Sequence, residues 1–118
     1  MTSVKIHYPC FSKAPQSFMV KVMLSANVTK SDIQKYYKSV YQTQLSKYSC
    51  ELVDDNDVNC YLQSLFELFN SDNNPLSTKE HQQYIKENEL HTSMSVGDVI
   101  SVNERFYVVG MGFKEVIN

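Results

Sequence analysis

Ser93-Met94-Ser95-Val96-Gly97-Asp98-Val99-Ile100, followed by Phe106-Tyr107-Val108-Val109 and Gly112-Phe113-Lys114-Glu115-Val116, is the stretch whose reading decides the fold. Gly97-Asp98 predicts a turn, and residues 99–102 predict a strand. Asn103-Glu104 is a tight connection, and residues 105–109 return as a second strand. Gly110 and Gly112 bracket Met111 before residues 113–117 extend again. Glycines inside a strand pattern mark a bulge or a close backbone approach.

Working back from this unit, residues 4–8 predict a strand that ends at Pro9. In residues 18–24, Phe18, Val20, Val22 and Leu24 alternate with Met19, Lys21 and Met23, which predicts a second strand paired with the first as a hairpin. Residues 29–45 predict the first helix, because Ile33, Tyr36, Tyr37, Val40, Tyr41 and Leu45 follow one apolar stripe. Thr29 with Asp32 is a plausible cap, and Ser31 is the alternative. Residues 49–53 could form a short strand. Residues 57–69 predict the second helix, with a wide face of Val58, Tyr61, Leu62, Leu65, Phe66, Leu68 and Phe69. Asp55 or Asn56 can cap it. Asn70-Ser71-Asp72-Asn73-Asn74-Pro75 is a loop by its turn chemistry. Ser77-Thr78-Lys79-Glu80 has the form of a capping box and predicts a third, more polar helix to about Leu90. The order predicts an α+β fold, with two or three helices packed on a small antiparallel sheet.

A chain of 118 residues supports one domain and one core, so residues 1–118 are read as a single unit. Neither a repeat nor a low-complexity tract interrupts it. There is no apolar run long enough to span a bilayer and no secretory signal pattern, so a cytoplasmic protein without a membrane partner is expected. Without secretion, the glycosylation pattern Asn27-Val28-Thr29 carries no meaning. Cys10, Cys50 and Cys60 are odd in number and widely spaced, which argues against a disulfide framework and a structural zinc site. The charge is split. Residues 1–50 carry seven lysines against Asp32 alone, a net of +6, and the remainder carries −8, so the whole chain is −2. Such asymmetry can mark a partner surface, but two halves that pack together and partly cancel are the favoured reading.

His91-Thr92-Ser93-Met94-Ser95-Val96-Gly97-Asp98-Val99-Ile100, with the aromatic pair Phe106-Tyr107 and the Gly112-Phe113-Lys114-Glu115-Val116 close, resembles the ending of small phage proteins. It is also similar to the YodL-like domains of bacterial mobile elements. The pattern covers about a quarter of the chain. It implies a phage or mobile-element origin and transfers no catalytic residue. Gly97 stands where many YodL-like members have a serine, which brings the chain nearer the phage set.

Several chemistries can be weighed on the residues. His91, Thr92, Ser93, Ser95 and Asp98 offer an imidazole, hydroxyls and a carboxylate, the ingredients of a small hydrolase or ligand-binding site. No nucleophile elbow surrounds either serine, so a turn fixed by side chains bonded to backbone amides is the favoured reading. Asp55, Asp57 and Asn59 begin like a calcium loop, but Cys60 and Phe66 stand where glycine and a bidentate glutamate are required. His7, His81 and His91 are scattered, and Cys60 reads as a small core residue. Lys30, Lys35, Lys38 and Lys47 interleave with tyrosines, which suits a nucleic-acid face. Tyr36, Tyr37 and Tyr41 already belong to the core stripe, however, and a pI near 5.9 is far from basic.

The leading expectation is therefore a phage or mobile-element accessory protein of the host-takeover or anti-defence kind. It would have no cofactor and no enzymatic role, and it would bind a bacterial host protein. Its binding residues are expected among His91, Ser93, Ser95, Gly97, Asp98, Gly112, Phe113 and Lys114. Nucleic-acid binding through the lysines is the alternative, and a hydrolase comes third. A C-terminal hairpin can also leave a sheet edge open for self-pairing.

Overall fold

The computed structural model describes residues 2–25, 27–45 and 55–117. Along them run β1 (Thr2–Pro9), α1 (Gln16–Ser25), α2 (Lys30–Tyr36), β2 (Tyr37–Leu45), α3 (Asp55–Leu68), α4 (Lys79–Glu87), β3 (Val99–Val102), β4 (Arg105–Val109) and β5 (Phe113–Glu115). Short 3-10 turns lie at Phe11–Lys13 and Pro75–Ser77. The strands form one antiparallel sheet in the order β2-β1-β3-β4-β5. The fold is α+β, with the C-terminal hairpin unit at one side of the sheet.

Alternation along the strands divides the core between the two sheet faces. Val4, Ile6, Tyr8, Ile100, Val102, Tyr107 and Val109 pack on one face against α3, Leu76 and Ile85. Val58, Leu62, Leu65 and Phe69 supply the α3 contribution at helical spacing. On the other face, Val99 and Val108 meet Phe18 and Val22 from α1 and Ile33 from α2, with Val28 and Val116 closing the side. The chain thus covers its sheet from both sides.

Several local expectations meet different outcomes. Residues 18–24 lie in a helix, not a strand. Phe18 and Val22 are buried four positions apart while Val20 is 47% exposed, which is helical and not strand spacing. Pro15 opens that helix, its carbonyl accepting from the Phe18 and Met19 amides. Consequently β1 pairs with β2 and β3 instead of with this segment.

The helix expected over residues 29–45 stops at Tyr36. Its start is as read, because Thr29 and Asp32 form a reciprocal capping box. Beyond it, Tyr37–Leu45 zips along β1 from Pro9↔Tyr37 to Thr2↔Leu45, with an irregularity between Ile6 and His7. The aromatic and β-branched residues there suit a strand, and the open side of β1 supplies a ladder no helix could. The strand expected over residues 49–53 lies outside the described residues.

α4 is capped by Thr78, whose hydroxyl accepts from the His81 amide, and not by Ser77, which lies in the preceding 3-10 turn. It ends at Glu87, short of Leu90. Cys60 is exposed, because the buried stripe of α3 leaves it on the solvent side; among the described residues Cys10 is the buried thiol. The Asn-rich loop is held by Asn74, whose amide donates to the Phe69 and Thr92 carbonyls and whose oxygen accepts from the Leu76 amide.

Gly97 is where α1 meets the C-terminal unit. Its φ is +96°, and a Cβ there would run into the Val22 Cγ1 methyl. Gly97→Ala is expected to cost about 1–3 kcal/mol, an overpacking penalty joined to backbone strain. Urea denaturation measures this. An unchanged midpoint would show that α1 does not pack on the turn as described.

Candidate functional site: the 91–98 turn and the C-terminal hairpin

Asp98 is 0% exposed, although it opens a strand at the end of a hydroxyl-rich turn. Its carboxylate accepts from the Ser95 backbone amide at 2.6 Å. Both of its oxygens lie 2.9 Å from Nε2 of His91. Its own amide donates to the Ser95 carbonyl, which closes the turn, and its carbonyl accepts from Val109 on β4. The loop is therefore stapled by one side chain.

Two tyrosines brace this staple from other elements. The Tyr8 ring of β1 stacks on His91, with centroids 4.2 Å apart and planes 15° from parallel. The Tyr8 hydroxyl donates to the Thr92 carbonyl at 3.1 Å. From β2, the Tyr37 hydroxyl donates to the Gly97 carbonyl. Burial pushes both phenols well above their ordinary range, and the Asp98 charge adds to this. They stay neutral donors at any physiological pH. Burial also pushes Asp98 up to about 6, against the opposing pull of His91 and of the Ser95 amide and hydroxyl.

The structure brings His91, Gly97 and Asp98 together. Ser93 and Ser95 expose their side chains, and neither hydroxyl hydrogen-bonds the His91 imidazole. The Ser95 hydroxyl reaches the Asp98 carboxylate and not the imidazole, so the Asp–His–Ser order of a nucleophile held against histidine is not the arrangement formed here. Gly112, Phe113 and Lys114 sit one strand further on. Val109 joins the two groups, bonding to Gly97 and Asp98 on one side and pairing with Phe113 on the other.

The lysines of the nucleic-acid alternative do not lie on one helix as expected. Lys30 and Lys35 are on α2, whereas Lys38 lies on β2, so the three share no helix face. Tyr37 is buried and Tyr36 packs on Phe18 at 4.7 Å. Lys47 lies outside the described residues. Among the described residues no group of three His, Cys, Asp or Glu side chains could hold a metal ion. Likewise no helix among them is long and apolar enough to cross a membrane.

One polar cluster escaped the sequence reading. His7 Nε2 lies 3.0 Å from the Ser101 hydroxyl, beside the Phe106 ring at 5.9 Å. Ser101 is buried, and a serine between Ile100 and Val102 in a central strand calls for a polar partner from its neighbour strand. That was the available signal. Burial, helped by Lys5, pulls His7 down to about 4.

The hairpin end of the site is lined differently. Met111 projects fully into solvent between Gly110 and Gly112. A cleft of about 170 Å³ opens beneath Phe113, among Val58, Asn59, Tyr107 and Glu115. A smaller one of about 50 Å³ adjoins it at Gln63, Phe66 and Gly112. On the opposite face of the sheet, Lys114 borders a cleft of about 110 Å³ with Val28, Val108 and Val116.

A protein of Acanthamoeba polyphaga mimivirus, described as uncharacterised protein R785, is 33% identical over 101 residues. The match spans 83% of this chain and 94% of the viral protein. The chain belongs to the family of this mimivirus protein. No family model matches the chain, and no solved structure does. Because the match spans 83% of this chain, the likeness is not confined to the C-terminal turn.

The two perturbed groups give opposite pH dependences. His7 is neutral in the fold but protonated in the unfolded chain between about 4 and 6.5, so its contribution grows as pH rises there. Asp98 retains its proton in the fold up to about 6 but ionises near 3.8 when unfolded, so its contribution shrinks over that window. The native protein should show a shallow profile between these limits. His7→Gln should show stability falling as pH is raised from 4 to 6, measured by urea denaturation at each pH. A profile parallel to that of the native protein would refute the assignment of a buried neutral His7.

Proposed function

We propose that this chain is a viral accessory protein that acts by binding a host protein, with the C-terminal hairpin as its contact. The observation that carries this reading is Met111. An unbranched apolar side chain stands fully in solvent at a hairpin tip, held between two glycines and flanked by clefts. Such a placement costs solvation and adds nothing to the core, yet it suits insertion into a partner pocket. The polar half of the C-terminal pattern, by contrast, is turned inward, where Asp98 and His91 satisfy the backbone and each other.

The viral relative supports a viral role. Its source, a virus named for an amoeba, favours a eukaryotic host partner, whereas the phage and YodL-like resemblance points to a bacterial one. A regulatory binding role also fits the separated charge, since an acidic C-terminal portion would speed association with a basic surface in a salt-sensitive way.

The test is affinity capture by the tagged chain from nuclease-treated amoebal and bacterial lysates, run beside Met111→Glu. The expected result is one dominant protein, retained after nuclease, whose recovery falls at least tenfold with the variant while the melting temperature is unchanged. Equal recovery by both forms would remove the hairpin from the reading. Recovery of nothing but nuclease-sensitive material would overturn it.

A further inference from the structure

The β5 edge combines three features. First, β5 ends the sheet, so among the described residues no strand pairs with its outer side. The Val116 amide donates to Phe106, and the Gly112 carbonyl accepts from Gly110, so these residues face β4. By strand alternation Lys114 faces β4 as well, while the backbone groups of Phe113 and Glu115 point outward.

Second, a cleft lies against this edge on each sheet face. Phe113 and Tyr107 wall the one beside α3, and Lys114, Val108 and Val116 wall the other. Glu115 borders both. Their volumes of about 170 and 110 Å³ hold side chains and not merely single waters. Third, exposed apolar side chains stand at both ends of the edge, Met111 before it and Ile117, 83% exposed, after it.

We propose that β5 is a strand-addition edge that captures an extended peptide segment of the partner, whose alternate side chains enter the clefts on the two faces of the sheet. This rests on the protein-binding reading and deepens it. An added strand takes its affinity from main-chain hydrogen bonds and its selectivity from pockets that receive every second side chain. The α3-side cleft offers Val58, Tyr107 and Phe113 to apolar residues at i and i+2, beside the polar Asn59 and Glu115. On the Lys114 side an acidic residue suits the position between them, because Glu115 on the same cleft is already paired with Arg105.

A second copy of this chain fits less well. β5 is three residues long, and a self-paired ladder of that length falls short of the roughly 1,000 Å² needed by a specific interface. In such a pair Phe113 and Glu115 would also remain walls of their own clefts and could not fill those of the partner copy.

The experiment is selection of a random displayed peptide library on the immobilised chain, with Glu115→Pro and Glu115→Ala as counter-targets. The Glu115 amide points away from β4, so proline there spares the β4–β5 ladder and removes the outward donor together with the carboxylate that Arg105 binds. Alanine removes the carboxylate, and with it the bond to Arg105, while keeping the amide. The expected result is enriched peptides with apolar residues at alternate positions, binding native and Glu115→Ala protein alike and Glu115→Pro at least tenfold more weakly. Amide hydrogen exchange of the native protein with such a peptide should slow at Phe113 and Glu115 but not at Lys114. This exchange pattern needs no folded proline variant.

Peptides with helical spacing, binding indifferent to proline, or no enrichment at all would each overturn strand addition. So would a dimer of the free chain that Glu115→Pro dissolves, which would make the occupant a second copy. If lysate capture still yields a partner dependent on Met111 in any of these cases, protein binding stands and only the mode of capture fails.

Discussion

The carboxylate of Asp98 is the interaction on which the C-terminal half of the structure depends. A buried charge-bearing group is costly unless every lone pair is used. Here one oxygen takes the Ser95 amide and both engage His91. The imidazole is in turn held flat against Tyr8, whose hydroxyl ties down the Thr92 carbonyl. Tyr37 secures the Gly97 carbonyl, and Val22 presses on Gly97 itself. Segments from β1, β2 and α1 therefore converge on one eight-residue stretch, His91 to Asp98. This stretch feeds β3 into the centre of the sheet in the register that sets Val99 on one covered face and Ile100 on the other.

What could be read from the sequence was what local chemistry decides. The β3–β4 hairpin was legible because Asn103 supplies the positive φ of +56° that a tight connection needs. The cap at Thr29 and the loop before Pro75 were legible for similar reasons of short-range hydrogen bonding. α1 was misread because Phe18 and Val22 satisfy a period of two as well as one of 3.6, and Val20, the position that separates them, is itself apolar. β2 was misread because Ile33, Tyr37, Val40 and Tyr41 satisfy helical spacing. Only the distant edge of β1, some thirty-five residues earlier, chooses the strand.

The same division governs the site. A side chain from the Ser93–Asp98 turn bonded to a nearby amide was inferable from residue types, and Asp98 on the Ser95 amide is that bond. Its partners Tyr8 and Tyr37 arrive from elsewhere in the fold and carry no signal near the turn. The clefts beside β5 are likewise tertiary, since α3 makes one wall and Val28 another. The C-terminal pattern thus separates into an inward half that organises the fold and an outward half that is free to meet another molecule. In this arrangement the Asp98 carboxylate and the His91 imidazole hold the turn, while Met111, Lys114 and Glu115 stay exposed.

The most direct measurement is native-state hydrogen exchange at the Ser95 amide. Its side chain is exposed, so only the bond to buried Asp98 can protect it. The account predicts exchange as slow as that of the β3 and β4 ladder amides, because opening the turn requires removing Asp98 from the core. Exchange at the rate of an unstructured loop would contradict it, and would mean that the carboxylate does not staple the turn.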